Sequence, residues 1–250
     1  PEFEALSAEL LAACDALEFW AKRARKLLAE RVVPLHLMKT KKLRLVYKPL
    51  GVVGIITPWN FPFILALNPT AQALMAGNAV VLKPSEVTPH AGRLVEDLFR
   101  AAGLPEGLVT CVTGDAETGA ALVEAGRGKI SFTGSVRTGR KVAEACGRQL
   151  IPCTLELGGK DPMVVCADAD LERAASGAVY GAFANAGQVC VSTERVYVVD
   201  AVADEFLRRV VEKTARPRQG TGGEADVGPL IWPPQLEVVE RHVEDGGRGS

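Results

Sequence analysis

Apolar residues recur at helical spacing through residues 2–31, where Phe3, Leu6, Leu10, Leu17, Trp20 and Ala24 predict one or two amphipathic helices. The period then changes. The β-branched segments LRLVY (43–47) and GVVGIIT (51–57) flank a Pro-Leu-Gly turn signal and read as strands joined by a tight connection, which feeds the loop PWNFP. Helix-like and strand-like segments alternate from there: helix 63–75, strand AVVLK, helix 89–102, strand LVTCV, helix 116–125, strand KISFT, helix 135–146. Such alternation predicts βαβ units and a parallel sheet. The strands are apolar almost throughout, as they must be when helices cover both faces. The fold class expected is α/β, a doubly wound parallel sheet.

Strand-like CTLEL and PMVVC follow, then a helix over 170–183, a loop holding Cys190, the strand TERVYVV and a helix over 202–214. Residues 215–228 are rich in Arg, Gly and Pro and predict a loop, and a last helix spans 234–243. The chain begins with Pro1 and stops at GGRGS directly after a helix-like segment, so a fragment is expected.

Composition narrows the function. With 250 residues, 48% of them hydrophobic, the chain can bury a substantial core. Its 29 basic residues nearly balance its 30 acidic ones, so no global field recommends nucleic acid or an anionic membrane as a partner. A small-molecule ligand is the better expectation. No apolar run approaches the roughly 20 residues that cross a bilayer, and the N-terminus lacks the order of a signal peptide, which makes the cytoplasm the expected location. Six scattered cysteines without a C-x-x-C pair, and three histidines far apart, suggest neither a disulfide framework nor a metal site.

Ligands of doubly wound sheets bind beyond the carboxyl ends of the strands, so the residues that follow each strand carry the chemistry. After KISFT, Gly134 and Ser135 open a helix whose amides and dipole suit a pyrophosphate, although Ser135 is equally an ordinary helix cap. AVVLK ends in KPSE, where Lys83 and Glu86 either grip ribose hydroxyls or form a solvated salt bridge. The fingerprint G-x-G-x-x-G is absent, which disfavours an ordinary Rossmann dehydrogenase. Glu156 interrupts the apolar strand in CTLELGGK; desolvation there would raise its pKa and suit a general base, the alternative being a structural salt bridge. Cys190 is either buried filler or a nucleophile, since thiolate is intrinsically reactive. The carboxamide of Asn60 could complete an oxyanion hole or simply tie its own turn.

Taken together, PWNFP, KPSE, FTGS, LELGGK and F-x-x-x-G-Q-x-C-x-x-x-x-R, in this order, closely resemble the NAD(P)-dependent aldehyde dehydrogenase superfamily over residues 2–243. The resemblance implies that Cys190 is the nucleophile, Glu156 the general base and Asn60 an oxyanion donor. It implies that Lys83 and Glu86 hold the adenosine ribose, that Thr133, Gly134 and Ser135 lie along the pyrophosphate and nicotinamide, and that Ile56, Trp59 and Leu157 contact the cofactor. The expected cofactor is NAD, with NADP possible. The reaction implied is oxidation of an aldehyde to a carboxylic acid through a cysteine thiohemiacetal, hydride transfer and thioester hydrolysis.

The resemblance further implies a Rossmann-like NAD-binding domain over residues 1–158, with a bridging or oligomerisation strand near 32–49. Residues 159–250 would begin an α/β catalytic domain that is incomplete here, because the family's chains continue well beyond this length. The whole protein would be a homodimer or homotetramer, and this chain alone would be inactive. Two rivals stand against the reading. A cysteine hydrolase needs a histidine base, and His36, His90 and His242 lie outside every motif. A non-catalytic protein that retains the aldehyde dehydrogenase fold is the other, and thiol reactivity with cofactor bound discriminates it.

Overall fold

The helical spacing at the start of the chain is realised as α1 (Glu2–Glu4), a π-helical segment (Ala5–Leu11) and α2 (Ala12–Leu27) in the computed structural model, which describes residues 1–126 and 128–248, the last two by backbone alone. Gly249 and Ser250, which close the GGRGS end, lie outside the described residues. The chain divides into two compact units, Leu6–Leu157 and Pro1–Ala5 together with Gly158–Ser250.

In the Leu6–Leu157 unit, β1 (Arg31–Val33) pairs antiparallel with β2 (Leu43–Leu45) as a separate, exposed hairpin. LRLVY pairs with β1, which begins beside the expected 32–49 strand segment, rather than with the strand after it as its turn signal predicts. Three residues are too few to show a period, and the pairing is made backwards across the 34–42 connection instead.

The main sheet holds β3 (Val52–Ile56), β4 (Ala79–Lys83), β5 (Val109–Cys111), β6 (Lys129–Gly134) and β7 (Cys153–Leu157) in the order β5-β4-β3-β6-β7, with every pair parallel. The crossover helices are α3 (Ile64–Met75), α4 (Pro89–Ala101), α5 (Ala116–Ala125) and α6 (Val136–Gln149). Strand alternation divides the core in two. Val53 and Ile55 join Val80, Leu82, Leu67 and Val95 in one cluster, while Ile56 joins Val123, Ile130, Phe132, Val142 and Cys146 in the other. Helices therefore cover both faces, as a doubly wound sheet requires.

Register is set partly by one buried amide. Asn78 Oδ1 accepts from Leu50 N (2.6 Å) and Gly51 N (3.1 Å), and Asn78 Nδ2 donates to Ala73 O (3.0 Å). The turn before β3 is thus pinned to the turn before β4.

In the other unit, β8 (Asp161–Val165) and β9 (Thr193–Val198) form a two-stranded parallel sheet. Val165 of β8 packs with Ala175 and Ala178 of α7 (Leu171–Phe183) and Phe206 of α8 (Asp200–Thr214). Asp170 caps α7 by accepting from Glu172 N and Arg173 N. The final helix, α9 (Pro233–Arg248), runs beyond the predicted end at Val243. Among the described residues no helix is long and apolar enough to cross a membrane.

Candidate active site

The chain leaves β3 toward β4 and β5 on one side, then returns across it to β6 and β7 on the other. This reversal is a topological switch point, and its carboxyl edge is where open α/β sheets receive ligands. All the sequence-predicted residues except Cys190 belong to this unit, and the register gathers them on that edge. Ile56 aligns with Lys83 and Phe132, Thr133 with Glu156, and Gly134 with Leu157. Half-buried Trp59 and Asn60 occupy the loop after β3.

The KPSE turn carries a real ion pair. Lys83 is 4% exposed, and its Nζ lies 3.3 Å from Glu86 Oε2, whereas Glu86 is exposed. A buried ammonium needs a partner of this kind. At the end of β6, Ser135 is the N-cap of α6: its Oγ accepts from Thr138 N at 3.2 Å and donates to Thr138 Oγ1 at 3.1 Å. The capping role is therefore real, and the exposed first turn of this 14-residue helix still presents its dipole to solvent.

Close packing shapes the same edge. A Cβ on Gly139 would come within 2.6 Å of Leu157 Cδ2, so α6 approaches β7 only because that side chain is missing. A Cβ on Gly134 would meet the Phe132 ring at 2.6 Å. Ile56, 8% exposed, commits its side chain to the core.

Glu156 requires a correction. It is exposed, so the desolvation expected of a carboxylate in an apolar strand is absent. The strand period explains this: Cys153, Leu155 and Leu157 pack on the α5–α6 core, and Glu156 points from the opposite face of the edge strand β7.

Cys190 lies in the other unit, after α7. There Asn185 (φ 51°), Ala186 (φ 56°) and Gly187 (φ 74°) run consecutively in the left-handed region. The two non-glycine residues each cost about 1–2 kcal/mol there, so the surroundings must hold them. Glu4 Oε1 accepts from Asn185 N at 2.7 Å, Gln188 Nε2 donates to Asn185 O at 2.9 Å, and Ser192 Oγ donates to Gly181 O at 2.9 Å. Cys190 itself is exposed, which removes the buried-filler reading. Cys14 and Cys166 are exposed too, so exposure alone does not single it out. Burial pushes the thiols of Cys111 and Cys146 up to about 11.

Among the described residues, no three His, Cys, Asp or Glu side chains gather as a metal site. The sequence profile of the aldehyde dehydrogenase family matches residues 2–249.

The chain belongs to the aldehyde dehydrogenase family.

It is similar to 4,4'-diapolycopene aldehyde oxidase of Methylomonas sp, 45% identical over 244 residues, 97% of this chain and 46% of that protein. It also resembles a putative succinate-semialdehyde dehydrogenase [NADP(+)] of Mycolicibacterium smegmatis, 44% identical over 91% of this chain and 44% of that protein. Among solved structures, the NAD+ complex of aldehyde dehydrogenase from Bacillus cereus superposes with a TM-score of 0.93 at 32% identity, covering 100% of this chain and 51% of that one. The chain spans about half the length of the curated relatives it matches.

Three residues of this aldehyde dehydrogenase family member escaped the sequence reading. Glu9 Oε2 accepts from Phe63 N and Ile64 N, the first open amides of α3. Glu4 holds Asn185. Thr57, 4% exposed at the end of β3, buries a hydroxyl with no hydrogen-bonding partner among the described residues. The first two act across long sequence separations that no local pattern reports, and a lone threonine after a strand is unremarkable by sequence.

Proposed function

We propose that the whole protein oxidises an aldehyde to a carboxylic acid with NAD or NADP, and that this chain supplies its nucleophile, its base and its cofactor edge. The carrying observation is the gathering of the family's motif residues at the carboxyl edge of the switch point. The residues present suit a dinucleotide. The open first turn of α6 and the Thr133–Ser135 backbone suit the pyrophosphate, the Lys83–Glu86 pair suits ribose hydroxyls, and the buried Thr57 hydroxyl has capacity for a ligand bond. Ile56 would contribute main chain only, its side chain being in the core. Trp59 and Leu157 would border the cofactor. The NAD+ complex of the B. cereus neighbour and the NADP(+) in the mycobacterial relative's name support either cofactor.

In this reading the Cys190 thiolate adds to the aldehyde carbon, and the Asn60 carboxamide with the Cys190 amide donates to the oxyanion that forms. The cofactor, when bound, supplies the hydride acceptor. Glu156 then takes a proton from the water that hydrolyses the thioester on Cys190, and its exposure gives it direct access to water. Residues 1–158 would form the NAD-binding domain and 159–250 the first part of the catalytic domain. The exposed β1–β2 hairpin supports an oligomerising role for residues 32–49 in a dimer or tetramer, and the cytoplasm remains the proposed location.

The test is made on the whole protein. Cys190→Ala abolishes aldehyde oxidation while NAD binding survives, and Glu156→Gln accumulates a thioester seen by mass spectrometry after one burst of NADH. Turnover by Cys190→Ala above a hundredth of wild type refutes the reading.

A further inference from the structure

We infer that Glu4 is a positioning residue for the Cys190 loop, its carboxylate holding the left-handed run from which the thiol is presented. The inference rests on the proposed role of Cys190 as nucleophile.

Three of the hydrogen-bonded pins on the loop between α7 and β9 bear on Cys190. Gln188 N and Nε2 both donate to Asn185 O, at 3.1 and 2.9 Å, and Ser192 closes the far side through Gly181 O. Cys190 sits between those two pins. Both come from inside the loop or from the helix that leads into it. The third comes from elsewhere: Glu4 reaches Asn185 N across 181 positions of sequence.

Two features mark that bond as specific. The carboxylate lies just beyond the C-terminus of α7, the negative end of a helix, where an acidic side chain is electrostatically misplaced unless a donor meets it. The donor exists because Ala184 leaves helical geometry (φ −53°, ψ 136°) and Asn185 turns left-handed, which aims its amide at Glu4. At 2.7 Å the contact has the length of a charge-assisted hydrogen bond. Asn185 and Ala186 carry side chains in a region that favours glycine, so the run keeps its shape only while it is held. Releasing it frees the residues immediately before Gln188-Val189-Cys190.

The experiment compares Glu4→Ala, Glu4→Gln and Glu4→Ala/Asn185→Gly in the whole protein. Hydrogen exchange is followed in a peptide spanning 183–190, alongside kcat and the cofactor KM. In Glu4→Ala, exchange at Asn185 accelerates at least tenfold and kcat falls about tenfold, while the cofactor KM stays within twofold. Glu4→Gln keeps an accepting oxygen and stays within threefold of wild-type kcat. Adding Asn185→Gly to Glu4→Ala recovers at least half of the lost kcat, because glycine adopts the left-handed region without help. Unchanged exchange in Glu4→Ala overturns the inference, as does faster exchange with kcat intact. Protection of β9, which belongs to the same unit and is measured together, identifies a variant that has merely unfolded, and in that case the Glu4→Gln result decides. Failure of the nucleophile reading is visible separately, as retained turnover by Cys190→Ala.

Discussion

Glu9 caps a helix whose N-cap residue lies 54 positions later: its Oε2 accepts from Phe63 N at 2.7 Å and from Ile64 N at 3.1 Å. The first turn of α3 has no side-chain cap of its own, so the carboxylate satisfies amides that would otherwise be orphaned and meets the positive end of the dipole. Glu9→Ala should destabilise this unit by about 1–2 kcal/mol, the usual loss of a good N-cap. Urea unfolding checks it through the midpoint. A change below about 0.3 kcal/mol, within the scatter of surface substitutions, would mean that solvent replaces the carboxylate.

Gly139 is where α6 touches β7. An added Cβ would stand 2.6 Å from Leu157 Cδ2, so Gly139→Ala must rotate Leu157 or push the helix outward. Overpacking of this kind costs about 1–3 kcal/mol. Because both α6 and Leu157 border the proposed cofactor edge, NAD affinity should fall with stability, which titration calorimetry measures. Unaltered affinity would place the cofactor away from this contact.

The thiols should separate by reactivity. Burial raises Cys111 and Cys146 to about 11, Glu96 adding to the first and Cys153 to the second, so both stay protonated at pH 7.5. Peptide-mapped alkylation with iodoacetamide should label Cys190 at least tenfold faster than Cys146. Comparable rates would show that the core around Cys146 opens readily. The same shifts act on stability. A thiol that titrates near 9.0 unfolded and near 11 folded stabilises the native state fully below pH 9, and that contribution is lost as pH rises through 11. Thermal midpoints should therefore decline between those values.

Glu86 bears on cofactor choice. A carboxylate that meets the adenosine ribose accepts hydrogen bonds from free hydroxyls and repels a 2′-phosphate, so NAD should bind more tightly than NADP. Glu86→Gln should narrow the gap, since the amide loses the charge. Dissociation constants for both cofactors decide it, and a wild-type preference for NADP would refute the assignment of Glu86 to that ribose.

Much of this architecture is legible from local pattern. β4 falls on the segment AVVLK because a buried parallel strand advertises itself as an apolar run. What escapes is whatever depends on partners. β1 is too short to show a period and exists through its pairing with β2. Glu4 and Glu9 look like ordinary charges on an amphipathic helix, and only tertiary structure shows which amides they meet. Glu156 misled for a related reason. A polar residue in an apolar strand reads as buried, yet on β7 the alternate face is open.

The alternation along β3 has a consequence for how this unit comes apart. Val53 and Ile55 belong to one core cluster and Ile56 to the other, so a single strand is a shared wall of both. Neither half can melt and leave its neighbour's wall in place. The two halves therefore form one cooperative unit: truncating Ile55, which is 1% exposed, weakens the side it does not touch through the strand it belongs to, and loss of structure in α3 and in α6 follows one common transition.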